Sequence, residues 1–145
     1  MDAVSPRSPR KDRGPLPEGS AAEGRLLWTE EPLSFWGGYD PGTGEIIDRR
    51  HPLAGRIAAG RVLALPSTRG SSTTTAVLLE SIRQGTSPAA ILTRGTDTFL
   101  TLAAIVAEEL YGRTLPVVPL EPDAWTGLAG AERVAVSADG LVTTA

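Results

Sequence analysis

The residues best suited to chemistry lie in one run, Arg69-Gly70-Ser71-Ser72-Thr73-Thr74-Thr75. An apolar stretch (Val62, Leu63, Ala64, Leu65) precedes it, and a segment with helical spacing (Ala76, Val77, Leu78, Leu79, Ile82) follows. Strand, glycine turn and helix start in that order leave unpaired main-chain N–H groups at a helix mouth. That end carries partial positive charge and attracts carboxylates and phosphates. With one guanidinium and two serine hydroxyls at the same point, an anionic ligand is the first expectation. Two roles stay open for the serines. In one, a serine caps the helix by accepting from N–H groups two or three residues on. In the other, Ser71 is a base, because Arg69 and the helix end lower the cost of an alkoxide.

Competing chemistries lack their residues. A Walker phosphate loop needs glycine, four residues, then Gly-Lys-Ser/Thr, yet the chain's one lysine is Lys11. A dinucleotide fingerprint fails for want of its second and third glycines. The one histidine, His51, stands in a polar stretch before Pro52. It is expected on the surface rather than paired with Ser71, so no nucleophile triad is indicated.

The elements that must position this run read as follows. Residues 61–120 carry apolar strands at 62–65, 89–92 and 115–118, alternating with helical patterns. The first helix stops at Gly85. The second starts after Thr96 or Asp97, ends at Gly112, and presents Phe99, Leu102, Ala103, Ile105, Val106 and Leu110 as its apolar face. Short connections between alternating strands and helices require a parallel sheet. Before it, Arg25–Thr29, Leu33–Trp36 and Ile46–Asp48 read as short strands. The intervening Asp40-Pro41-Gly42-Thr43-Gly44 is either a tight hairpin loop or backbone approaching a ligand or partner. After it, Arg133–Ser137 turns at Asp139-Gly140 into Leu141–Thr143 as a hairpin. Helices can cover one face of the parallel sheet and strands from the two ends the other. The expectation is an α/β domain of three layers, β/β/α, with a parallel βαβαβ core and an additional antiparallel β layer.

Composition sets outer limits. At 145 residues with no cysteine, the chain is long enough for one core without crosslinks and has no thiolate for zinc or an iron–sulfur cluster. A formal charge of −3 gives no reason to expect nucleic acid. No apolar run approaches the roughly 20 residues needed to span a bilayer, so a cytoplasmic protein is expected. Residues 1–20, with Arg7, Arg10, Lys11 and Arg13 among prolines and serines, read as a disordered basic tail before a domain over 21–145. Trp28, Trp36 and Trp125 are expected as core or subunit-interface anchors rather than stacking platforms.

Taken in order, Pro32-Leu33-Ser34-Phe35-Trp36-Gly37-Gly38, Asp40-Pro41-Gly42-Thr43-Gly44, Ile47-Asp48, His51-Pro52-Leu53-Ala54-Gly55 and Arg69-Gly70-Ser71-Ser72 resemble the small subunit of aconitase X enzymes. That family includes the phosphomevalonate dehydratase small subunit and part of cis-3-hydroxy-L-proline dehydratase. The resemblance implies a swivelling domain that forms half of a hydro-lyase, inactive alone, acting on an anionic β-hydroxy acid. It implies a large-subunit partner in a heterodimer or higher assembly. That partner would hold an iron or iron–sulfur centre acting as Lewis acid, and no cofactor or metal would be bound by this chain. By the same match Ser71 is the proton-accepting serine, while Arg69, Gly70 and Ser72 line the substrate anion site. Family members commonly have glycine where Thr68 stands and often near Thr74, which implies a different turn here or a changed substrate. The alternative function is a non-catalytic anion-binding or assembly module that has kept the swivel fold.

Overall fold

The computed structural model describes residues 21–70 and 72–145; the 1–20 tail and Ser71 lie outside the described residues. The chain runs through β1 (Ala22–Trp28), α1 (Phe35–Gly38), β2 (Val62–Leu65), α2 (Ser72–Gln84), β3 (Ala90–Arg94), α3 (Thr98–Tyr111), β4 (Val117–Leu120), α4 (Pro122–Thr126), β5 (Arg133–Val136) and β6 (Val142–Thr144). The strands form one mixed sheet in the order β4-β3-β2-β1-β5-β6. Strands β1 to β4 are parallel, and β1-β5-β6 are antiparallel. β1 makes the switch: Ala22–Arg25 pair with β5 and Leu26–Trp28 pair with β2.

Alternation along the central strands divides the core in two. Leu27, Leu63, Leu65 and Ile91 pack toward α2, α3 and the stretch containing Phe35, Tyr39 and Ile46. Val62, Ala64, Leu92 and Val118 pack on the opposite face with Trp125 of α4 and with Val134, Val136 and Val142 of the hairpin. Although β4 lies at one end of the strand order, it lines a common cavity of about 560 Å³ with the β5–β6 turn. The sheet therefore curls, and the hairpin covers the face that the helices leave open. This is the expected β/β/α layering, with the antiparallel layer continuous with the parallel one through β1. Among the described residues, no helix is long and apolar enough to cross a membrane.

Several local expectations are corrected. Leu33–Trp36 is not a strand: Phe35–Gly38 makes a kinked helical turn with Gly37 at φ 79°. Residues 46–48 form no strand either, and only isolated bridges join Tyr39 to Ile46 and Glu45 to Ile57. α4 was not foreseen, because five residues are too short for a periodic signal. The bounds of α3 are as expected, with Asp97 as N-cap and Gly112 at φ 62° as C-cap, but its buried face is not. Leu100, Ala103 and Ala107 are buried, while Leu102, Ile105 and Leu110 are exposed. Small alanines allow α3 to approach its neighbours closely, which leaves the larger apolar stripe in water.

The Asp40–Gly44 run folds as a tight loop. Gly44 and Thr43 donate to the Asp40 carbonyl, and Gly42 donates to the Asp40 carboxylate at 2.8 Å. The backbone it approaches is this chain's own. Thr86 Oγ1 donates to the Pro41 carbonyl at 2.6 Å, and the Tyr39 hydroxyl donates to the Thr86 carbonyl at 2.7 Å.

Tyr39 is buried, stacks on Phe35 with centroids 5.0 Å apart, and burial pushes its phenol well above the ordinary tyrosine value of 10.0. The folded state keeps this proton where the unfolded chain releases it. Its contribution is therefore complete below about pH 10 and declines as pH rises beyond it. Tyr39→Phe should lose about 1 kcal/mol at neutral pH through the missing hydrogen bond. Thermal melts from about pH 8 to about pH 11 should also show a shallower alkaline decline for the variant.

Candidate functional site at the β2–α2 turn

Three loops meet at the carboxyl ends of the parallel strands, where α/β sheets bind ligands. The stretch after β1 runs beside the stretch after β2. Leu33 bridges Thr68, the Leu33 N–H reaches the Ser67 carbonyl at 3.4 Å, and the Arg69 N–H donates to the Leu33 carbonyl at 3.0 Å. The third loop is tied in by Asp97. One of its carboxylate oxygens accepts both the N–H and the hydroxyl of Thr68, each at 2.8 Å, and the other accepts the Leu100 N–H at 3.1 Å. A single carboxylate thus caps α3 and fixes the turn that leads to Arg69.

This gives Thr68 a role that the glycine expected from the resemblance could not fill. Among the described residues, only glycines have positive φ. Thr68 is therefore unstrained, and its hydroxyl makes a bond that glycine cannot. Gly70 is different. Its φ of 135° is one that side chains rarely adopt, and an added Cβ would lie 3.3 Å from Thr74 Oγ1. The Thr74 hydroxyl is buried and has no hydrogen-bond partner among the described residues. A buried orphan hydroxyl costs on the order of 1–3 kcal/mol, so this turn is not optimised for stability alone.

Of the site residues expected from sequence, Arg69, Gly70 and Ser72 fall at one strand–helix junction, with Ser72 exposed as the first residue of α2. Ser71 stands between them in sequence, outside the described residues. The Arg69 side chain is 67% exposed and lies 3.8 Å from the Glu31 carboxylate, a loose pair of little energetic weight. It borders a cavity of about 240 Å³ shared with Glu31, Asp48, Arg50 and His51. Two guanidiniums and two carboxylates there make a mixed lining rather than a uniformly cationic one.

The expectation of a surface His51 is corrected. It is 7% exposed, and its ring braces the loop. Nδ1 accepts the Leu53 N–H at 3.1 Å, which leaves Nε2–H to donate to the Glu31 carbonyl at 3.2 Å. Both ring nitrogens are thus occupied, and the imidazole holds Glu31 against the Arg69 cavity. The alternatives for the tryptophans divide: Trp28 and Trp125 pack against each other in the core, with tilted rings and centroids 4.8 Å apart, and Trp36 is 68% exposed.

Sequence reasoning missed the bracing by Asp97, and also Glu31, Asp48 and Arg50 as neighbours of Arg69. Only the Asp97 cap had a local signal; the others meet through tertiary contacts. Among the described residues, no group of three or more His, Cys, Asp or Glu could hold a metal ion. With no cysteine in the chain, these residues do not fit an iron or iron–sulfur centre of their own.

A family model for the aconitase X swivel domain matches residues 15–144. The chain is 57% identical over 100 residues to a cis-3-hydroxy-L-proline dehydratase of Pseudomonas aeruginosa, covering 69% of this chain and 17% of that protein. It is 38% identical over 113 residues to the phosphomevalonate dehydratase small subunit of Methanothermobacter thermautotrophicus, covering 72% of this chain and 86% of the subunit. The chain thus spans about a sixth of the first of these relatives and most of the second. The crystal structure of Thermococcus kodakaraensis aconitase X in its holo-form is similar, with TM-score 0.72, 26% identity and 96% of each chain covered. So is the solution NMR structure of a UPF0107 protein, with TM-score 0.75, 30% identity and 99% of each chain covered.

Proposed function

This chain belongs to the aconitase X swivel-domain family, and from that premise we propose that it is the small, closing part of a dehydratase. The reaction is removal of water from an anionic β-hydroxy acid. The observation that carries this reading is the 57% identity to a segment of a cis-3-hydroxy-L-proline dehydratase. Because this exceeds the 38% shared with the phosphomevalonate dehydratase small subunit, cis-3-hydroxy-L-proline is the favoured substrate and phosphomevalonate the second.

In this reading Ser71, as alkoxide, takes the proton from the carbon beside the carboxylate. The electron pair of that C–H bond forms the new double bond as the C–O bond to the neighbouring carbon breaks, and the departing hydroxide takes up a proton and leaves as water. Arg69, the Gly70 backbone and Ser72 hold the substrate's negative charge. Support comes from the loop itself. Asp97 fixes its approach through Thr68, and among the described residues Arg69 is tied only by a loose exposed pair, which leaves it available to an anion. An unstrained, hydrogen-bonded Thr68 also favours an intact site over a decayed one.

The iron or iron–sulfur centre is assigned to a large-subunit partner, where it would supply Lewis-acid chemistry. Association with such a partner is supported by apolar side chains left in water, with Trp36 68%, Ile105 56% and Leu110 67% exposed. A cytoplasmic location is part of the same proposal. Co-expression with the cysteine-containing large chain of the same host tests it. Dehydration of cis-3-hydroxy-L-proline should need both chains, with this one inactive alone. A stable, metal-loaded pair that turns over neither substrate would refute it.

A further inference from the structure

Sheet register gathers four arginines at the end of the molecule away from the β2–α2 turn. Arg25 stands directly opposite Arg133 of β5. The pairing of Leu26 with Val62 sets Arg25 beside Arg61, the residue leading into β2. Paired residues of adjacent strands share a face, and neighbouring strands lie about 4.8 Å apart. Arg133, Arg25 and Arg61 therefore form a row across three strands, on the face that carries Leu27 and Leu63. Arg56 joins them from the preceding loop. Arg25, Arg56 and Arg61 line a cavity of about 360 Å³, whose one carboxylate side chain is Glu132.

This row opposes stability. Like charges directly opposite one another weaken a sheet, and the protein as a whole is acidic at −3. Ten arginines lie beyond the 1–20 tail, and four of them meet here. Among the described residues, none of the four guanidiniums has a carboxylate within ion-pair distance. Uncompensated cations held in register beside a cavity are what recognition of an anion requires, because guanidinium forks match phosphate and carboxylate oxygens two at a time.

We propose that this row is a second binding site, for a small molecule bearing two anionic groups about 5 Å apart, the spacing that adjacent strands impose. A diphosphate and a compact polycarboxylate share that chemistry, and the cavity volume suits either. Arg61 and Pro66 bracket β2, which puts the site roughly 16 Å from Pro66, where the chain leaves β2, at about 3.3 Å per residue. The inference goes beyond the dehydratase reading and does not depend on it.

Thermal melts of the full chain test it, in pyrophosphate, in citrate, and in sodium chloride at equal ionic strength. Pyrophosphate or citrate should raise the midpoint by about 3 °C or more beyond chloride, and the larger shift assigns the ligand to phosphates or to carboxylates. Arg25→Thr should raise the ligand-free midpoint by about 2 °C, as repulsion is relieved, and should remove most of the anion shift. Arg133→Gln on the neighbouring strand should act in the same direction, whereas Arg49→Gln, at an exposed arginine outside both clusters, should keep the full shift. The proposal is overturned if neither anion exceeds chloride, if the shift survives Arg25→Thr and Arg133→Gln, or if both variants lower the ligand-free midpoint.

Discussion

Replacing Ser71 with alanine is expected to reduce dehydration by the assembled enzyme by roughly 10²- to 10⁴-fold, the range typical for loss of a positioned general base. The loss should fall on kcat. In the proposed site Arg69, the Gly70 backbone and Ser72 would still hold the substrate, so KM should change little. Solvent exchange gives a second readout. In deuterated water the wild-type assembly should exchange the hydrogen beside the substrate carboxylate during partial turnover, and the alanine variant should lose that exchange with the rate. Arg69→Ser should behave differently, raising KM, because it weakens ground-state binding as well as charge stabilisation in the transition state. A Ser71→Ala assembly that keeps its rate within about threefold removes the serine as base, and leaves the junction to anion binding alone.

Gly44→Ala is expected to destabilise the domain by roughly 3 kcal/mol, combining overpacking with backbone strain. Two causes act together. Gly44 has φ +78°, where a side chain is strained, and an added Cβ would lie 2.6 Å from Ala59 Cβ and 2.7 Å from the Thr86 carbonyl oxygen. Neither neighbour can yield as a flexible side chain would. One is a β-carbon fixed to its backbone, and the other is the carbonyl that already accepts from Tyr39. For a domain of this size, the change corresponds to a midpoint roughly 10 °C lower. Gly55→Ala is the control: it has φ +84° but nothing within 4 Å of its added Cβ. It should cost only the backbone term of about 1 kcal/mol. Equal midpoints for the two variants would show that contact around Gly44 is not what fixes glycine there.

The sequence alone determined the alternation of strands and helices from Val62 to Leu120, because each element there carries its own period and its own stop. Gly85, Asp97 and Gly112 act within one or two turns of the backbone, and so their effect is local. The hairpin of β5 and β6 was legible for the same reason, its Asp139-Gly140 turn being encoded where it acts. The junction between β2 and α2 was legible too, since apolar strand, glycine and helix start are consecutive in the chain.

What only the tertiary structure decided are the choices between equivalent local options. α3 has an alanine stripe and a large apolar stripe, and periodicity cannot say which one meets the sheet; close approach to α2 selects the alanines. His51 is polar in sequence and buried in space, because the carbonyl of Glu31, 20 residues away, accepts its ring N–H. Asp97 was visible as a cap but not as the brace of Thr68, which lies 29 residues back. The arginine row was invisible as well. Arg25, Arg61 and Arg133 become neighbours only when strand register brings them level, since side-chain proximity across a sheet is set by hydrogen-bonded pairing rather than by distance along the chain.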